Sequence, residues 1–164
     1  MNLHTLPRTF YLTRHGQSEY NLLGKIGGDS GLTPAGLEYA RRLSLFAKEY
    51  IATTTKTEPE TGEEIKVPRP ARLWTSTLRR TKETAQYIEH NTIQHTWDNG
   101  DTIAWMQFRP MARRNLDELY AGCCDGMTYK EIEKVYPEEF DRRQRDKLAY
   151  RYPRGMFSSD RTFL

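Results

Sequence analysis

No apolar run in the 164-residue sequence is long enough to cross a bilayer. The opening Met1-Asn2-Leu3-His4 lacks the charged-then-apolar pattern of a secretory signal. Both absences point to a cytoplasmic protein with no membrane partner. Cysteine is scarce. Cys123 and Cys124 are adjacent, which excludes a disulfide framework between distant segments and fits reduced thiols in the cytosol. Nothing beside them supplies the other ligands of a metal, so no metal site is expected. Charge of one sign is not in large excess: the formal net charge is +3. That balance suits an anionic small molecule. It is too weak to argue nucleic acid, and no aromatic platform or clustered basic stripe supports such a partner. No internal repeat is visible, and low complexity is confined to a threonine run at 53–55.

What is present reads as one soluble α/β domain, with 37% hydrophobic and 29% charged residues. The stretch that organises the rest is Leu12-Thr13-Arg14-His15-Gly16-Gln17-Ser18-Glu19. It overlaps Thr9-Phe10-Tyr11-Leu12, whose composition predicts a first strand over 9–15. Gly16 would let the chain turn where a Cβ would clash. Parallel strand ends are where α/β folds place ligands. Histidine can be a nucleophile, and a neighbouring arginine suits an anion. An incidental basic pair at a strand end would leave the same trace.

Residues 20–32 are punctuated by Gly24, Gly27, Gly28 and Gly31, a loop whose bare N–H groups can approach a phosphate. Thr33 as N-cap and Pro34 at the first position predict a helix. Its apolar stripe would be Leu37, Ala40, Leu43, Phe46, Ala47 and Tyr50, with Arg41, Arg42 and Lys48 toward solvent. Residues 53–70 are polar, without apolar periodicity, and read as a mobile surface insertion. A second strand is expected over 71–76. A helix follows from Thr77, with Ser76 as its N-cap, Leu78, Ala85 and Ile88 on its apolar side, and Arg80 in its first turn. An arginine there opposes the helix dipole unless an anion is bound beside it; a solvated arginine is the plainer alternative. Residues 90–114 read as irregular, with a turn at Asn99-Gly100 and with Trp97 and Trp105 packing. Thr128 and Glu131 form a capping box before a helix carrying Ile132 and Val135. Pro137 stops that helix or starts another over 138–148.

Thr13-Arg14-His15-Gly16 together with Thr75-Ser76-Thr77-Leu78-Arg79-Arg80-Thr81 resembles the histidine phosphatase superfamily, the phosphoglycerate-mutase-like fold. Ser18-Glu19-Tyr20-Asn21-Leu22, Gly27-Gly28-Asp29-Ser30-Gly31-Leu32, Asp117-Glu118-Leu119-Tyr120-Ala121-Gly122, Met127-Thr128-Tyr129, Tyr136-Pro137-Glu138-Glu139-Phe140 and Tyr150-Arg151-Tyr152-Pro153 narrow it. They resemble the bisphosphatase half of the bifunctional 6-phosphofructo-2-kinase/fructose-2,6-bisphosphatase family. The resemblance covers about residues 8–155. It implies a three-layer α/β/α sandwich around a mostly parallel sheet, with one domain over 1–155 and a divergent tail over 156–164.

It also implies hydrolysis of the 2-phosphate of fructose 2,6-bisphosphate through a phosphohistidine, with no metal and no cofactor. By the resemblance, His15 attacks phosphorus, and Arg14 and Arg80 hold the phosphoryl oxygens. Asn21 and the backbone at Gly27 add neutral donors. Glu118 protonates the leaving oxygen. Tyr129, Arg143 and Lys147 grip the sugar and its second phosphate, although a solvated basic helix face would look the same.

Gln17 stands where the family motif often has Glu, at a position outside the phosphate ligands. A second family histidine should follow, yet no histidine occurs after His95. His4, His90 and His95 fit no family position and read as surface or packing residues. The family pattern is lost after Gly155. The expectation is a C-terminally incomplete chain of low activity and marginal stability, its first strand short of a neighbour. The G-x-x-x-x-G-K-[ST] loop of a kinase is missing; Gly24-Lys25 lacks the upstream glycine and the following hydroxyl. A kinase domain is therefore not expected in these residues, and a homodimer is compatible with such a domain. Two alternatives stay open: a related phosphatase or mutase acting on another phosphorylated substrate, and a non-catalytic sugar-phosphate binder.

Overall fold

The computed structural model describes residues 8–97, 99–147 and 149–156. In chain order the elements are α1 (Glu19–Leu23), α2 (Pro34–Phe46) continuing into a wider turn at Ala47–Ile51, β1 (Thr53–Thr57), β2 (Glu64–Pro68), β3 (Leu73–Thr75), α3 (Arg79–Ala85), β4 (Thr92–Thr96), β5 (Thr102–Met106), β6 (Pro110–Ala112), α4 (Tyr129–Val135) and α5 (Pro137–Arg145). The α/β class holds. The mostly parallel sheet is not seen among the described residues: the strands pair two by two, β3 with β6 parallel (Leu73 opposite Pro110, Thr75 opposite Ala112) but β1 with β2 and β4 with β5 antiparallel. Helix α3 packs on β3 and on α2.

Local chemistry explains where the helices begin. Thr33 accepts the Gly36 N–H and Pro34 takes the first helical position, as expected. The capping box of Thr128 and Glu131 opens α4, whose Ile132 is fully buried while Val135 stays exposed. Pro137 starts α5, which ends at Arg145; Leu148, in the expected helix, lies outside the described residues. The stripe of α2 is only partly used. Ala40 and Ala47 are buried and Leu37 and Leu43 half-buried, but Phe46 and Tyr50 remain exposed and stack on each other at 5.0 Å.

Four further expectations need correction. Residues 9–15 form no strand. Their backbone finds no partner row among the described residues, and a strand without a neighbour has no ladder to satisfy its N–H and C=O groups. Residues 53–70 are not featureless: β1 and β2 form an antiparallel hairpin with Thr53 opposite Pro68. The β-branched threonines favour that extended pairing, and Gly62 supplies a left-handed turn at φ 73°. Residues 90–114 also contain a hairpin, β4 with β5, turning at Asn99-Gly100 as expected, and then β6. The weak alternation of Ile93 and His95 with threonines hid it. Finally, the N-cap of α3 is Leu78. Ser76 instead accepts the Leu78 N–H at 3.2 Å and meets the Thr81 hydroxyl at 2.8 Å.

The apolar core is small: Ala47, Ala71, Ile88 and Phe108, with Ile51, Ala52, Leu73 and Ala85 against them. Buried Gln107 stitches it. Its amide donates to the Arg69 carbonyl at 2.6 Å and its oxygen accepts the Ala71 N–H at 2.8 Å. Trp105 is half-buried and its indole N–H reaches the Ala71 carbonyl at 3.3 Å, whereas Trp97 stays exposed, edge-on to His95.

Candidate active site

The turn that carries His15 is held between two helices. The Gly16 N–H donates to Thr84 Oγ1 of α3 at 3.0 Å. On the other side it meets the start of α2 backbone to backbone. A Cβ on Gly16 would stand 2.6 Å from the Gly36 oxygen, and a Cβ on Gly36 would collide with the Gln17 oxygen. Glycine is therefore required at both positions by contact, not by a left-handed φ. Gln17 completes the clamp, its side-chain oxygen accepting the Thr33 hydroxyl at 2.9 Å.

His15 Nδ1 donates to its neighbouring Gly16 carbonyl at 2.7 Å, the tautomer that leaves the lone pair on Nε2. Burial holds the imidazole below its ordinary pKa, and the charges of Arg80 and Arg14 act the same way; the Gly16 hydrogen bond and Glu118 oppose them. The result is a neutral ring near pH 7.

His15 borders an open cavity of about 260 Å³ together with Arg14, Asn21, Gly27, Arg80, Glu118 and Tyr129. A second opening of about 190 Å³ shares Arg14, His15, Arg80 and Glu118 and adds Ser76, Thr81 and Leu116. Arg80 is 3% exposed. Its Nη1 donates to the Gly28 carbonyl at 2.8 Å, and its Nη2 contacts a Glu118 carboxylate that is itself 56% exposed. The segment bearing Glu118 is pinned over the start of α3. The carboxylate of Asp117 accepts the Thr77 N–H at 2.6 Å and the Thr77 hydroxyl at 2.7 Å. The Asn21 side-chain oxygen accepts the Ser18 N–H at 3.0 Å in the capping box of α1, which leaves its NH2 as the donor at the cavity wall. Four remote pieces of chain thus meet at one imidazole.

The expected sugar grip is less complete. Tyr129 lines the cavity. Arg143 reaches it through Tyr129, donating to the phenol oxygen at 2.8 Å with its guanidinium 4.6 Å from the ring centre. Lys147 is exposed beyond α5 and is not among the residues lining either opening. Sequence reasoning gave no role to Tyr20 and Lys25, which line the cavity with the ammonium 5.5 Å from the ring centre, to Asp117, which stands in a family stretch, or to Asp125, which stands in none. Burial foremost raises the pKa of the Tyr152 hydroxyl to about 12, against the nearby Arg143 charge. Cys124 is not a competing nucleophile: burial, with Cys123 beside it, pushes its thiol up to about 12. Among the described residues no group of three His, Cys, Asp or Glu converges to hold a metal ion.

A neutral histidine beside two arginines and a carboxyl group could chemically take up a phosphoryl-sized anion. Comparison with known proteins gives the family. The model of the histidine phosphatase superfamily (branch 1) matches residues 10–54 and 59–161, and the chain belongs to that family. It is 41% identical over 155 residues to the fructose-2,6-bisphosphatase of Saccharomyces cerevisiae, covering 94% of this chain and 27% of that protein. The 6-phosphofructo-2-kinase/fructose-2,6-bisphosphatase of Arabidopsis thaliana is 40% identical, over 94% of this chain and 17% of its own length. The chain therefore spans about a quarter or less of these relatives. Among solved structures, Bacillus stearothermophilus YhfR superposes with a TM-score of 0.59 at 25% identity, over 87% of this chain and 56% of that one. A phosphoglycerate mutase from Thermus thermophilus superposes at 0.52 and 21% identity, over 90% and 62%, and shows the fold alone.

Proposed function

We propose that this chain is a fructose-2,6-bisphosphatase-type histidine phosphatase. His15 Nε2 attacks the 2-phosphorus as the P–O bond to the sugar breaks, and a protonated Glu118 gives its proton to the leaving oxygen. Fructose 6-phosphate departs. Water, losing a proton to Glu118, then attacks the phosphohistidine; phosphate leaves and Nε2 regains its lone pair. Arg14 and Arg80 hold the equatorial oxygens throughout, with Asn21 and the Gly27 backbone as neutral donors. Tyr129 and Arg143 meet the sugar side, and Lys147 must swing inward to join them. The reading assigns Arg80 a change of partner: the phosphoryl group takes the place that Glu118 holds beside its Nη2. It puts the protein in the cytoplasm and leaves a homodimer as the assembly to test by light scattering.

The observation that carries the proposal is the free Nε2 of a neutral His15 among Arg14, Arg80 and Glu118. The test is transfer of label from fructose 2,6-bisphosphate labelled on the 2-phosphate. An acid-labile, base-stable label on the chain, lost in His15→Ala, is expected. Glu118→Gln should lower turnover by about 10²- to 10⁴-fold, the usual worth of a general acid. Label from another phosphorylated substrate only would favour the related phosphatase or mutase; no label with retained binding would favour the non-catalytic binder.

A further inference from the structure

Two consecutive glycines have left-handed backbones: Gly27, at φ 65°, lines the cavity, and Gly28, at φ 61°, meets Arg80. Such a pair has wide conformational freedom, so something outside it must select one geometry. Asp125 is that agent. Both of its carboxylate oxygens accept the Gly28 N–H, each at 3.1 Å, from 97 residues away in sequence. The carbonyl of the same Gly28 accepts Arg80 Nη1 at 2.8 Å. A Cβ on Gly27 would collide with Asp125 Oδ1, so the loop is cut to admit this carboxylate. On either side the contact is framed by backbone: Ile26 N–H to the Met127 carbonyl at 2.9 Å and Gly126 N–H to the Ile26 carbonyl at 2.8 Å.

We propose that Asp125 is a positioning residue for phosphoryl binding: by holding Gly28 it aims the Arg80 guanidinium at the place where the phosphoryl oxygens sit. The inference rests on the phosphatase reading above. Asp125 touches no substrate. Its influence passes through the Gly27-Gly28 backbone, and the larger part of it is expected through Arg80, which Gly28 holds directly.

The test is a phosphorus-31 NMR titration of the whole 164-residue chain with inorganic phosphate, alongside label transfer to His15. Asp125→Asn keeps the shape but loses the charge and one acceptor. It is expected to weaken phosphate binding about tenfold, the scale of one charge-assisted hydrogen bond, and to slow labelling by a similar factor. In an Arg80→Ala background the same substitution should have a clearly smaller effect on both, because the guanidinium it positions is gone and only the Gly27 backbone donor remains. A purely structural role would lower the melting temperature and leave binding untouched, or weaken it equally in both backgrounds; either result overturns the inference. Should the Asn variant not fold, Asp125→Glu keeps the charge on a longer arm and is expected to bind phosphate more weakly than the parent; equal affinity overturns the inference. A parent chain that neither binds phosphate nor takes label overturns the phosphatase reading and this inference with it. Binding by the parent that Asp125→Asn matches overturns this inference alone.

Discussion

Residues 8–14 and 16–36 lie close together in the chain and behave in opposite ways. The first stretch holds Phe10 and Leu12, 73% and 95% exposed despite their apolar side chains. The second is polar and rich in glycine, yet Gly16, Ser18, Ser30, Thr33 and Gly36 are buried in it. The difference teaches what holds the site. Apolar side chains stay outside where no surface is offered to cover them. Polar and glycine residues go inside where their N–H and C=O groups find partners and backbones can touch. Gly16, Gly28 and Leu32 each hand their N–H to a side chain from a remote segment: Thr84, Asp125 and Glu83.

The strongest way to break this contrast is Gly36→Ala. The new methyl would meet the Gln17 carbonyl, a backbone atom that cannot step aside. A loss at the upper end of roughly 1–3 kcal/mol is expected in urea unfolding, with His15 displaced. Asp117→Ala comes next. It strips the Thr77 N–H and hydroxyl of their acceptor at a half-buried position, and about 1–2 kcal/mol of stability should go with it. A pH series probes the same region more gently. His15 has a lowered pKa in the folded chain, so below about 6.5, its ordinary value, the unfolded chain binds the proton more readily. Its contribution to stability should be complete above that value and fall as pH drops toward the folded-state pKa; label transfer should fall over the same lower range. The smallest effect is expected from Leu12→Ser in the exposed stretch. Melting should stay within about 0.5 kcal/mol of the parent while solubility improves. A large loss there would show that the apolar stretch is covered after all, and the contrast would collapse.

Much of this was legible in the chain because its signals are local. Thr33-Pro34 and the box of Thr128 with Glu131 mark helix starts through contacts within four residues, and both hold. Asn99-Gly100 marked a turn for the same reason. Arg14, His15, Arg80 and Glu118 stood out through motif context, and the structure gathers them at one cavity. The strand at 9–15 failed because strand composition is a statement about a surface to be paired, and pairing is not written in the strand itself. Both hairpins were overlooked because threonine-rich segments satisfy β geometry without apolar alternation. Lys147 matched the family register, yet its place past the end of α5 leaves it off the cavity wall.

From the sequence alone came the family, the proposed nucleophile and its charged companions, because those depend on residue type and short spacing. The tertiary structure decided the rest. Only folding could show that Arg80 is buried between Gly28 and Glu118, that Gly16 and Gly36 touch, and that Asp125 governs a loop nearly a hundred residues before it. Those are contacts between segments far apart in the chain, and a hydrogen bond depends on where two atoms meet in space, which residue spacing over such distances does not specify.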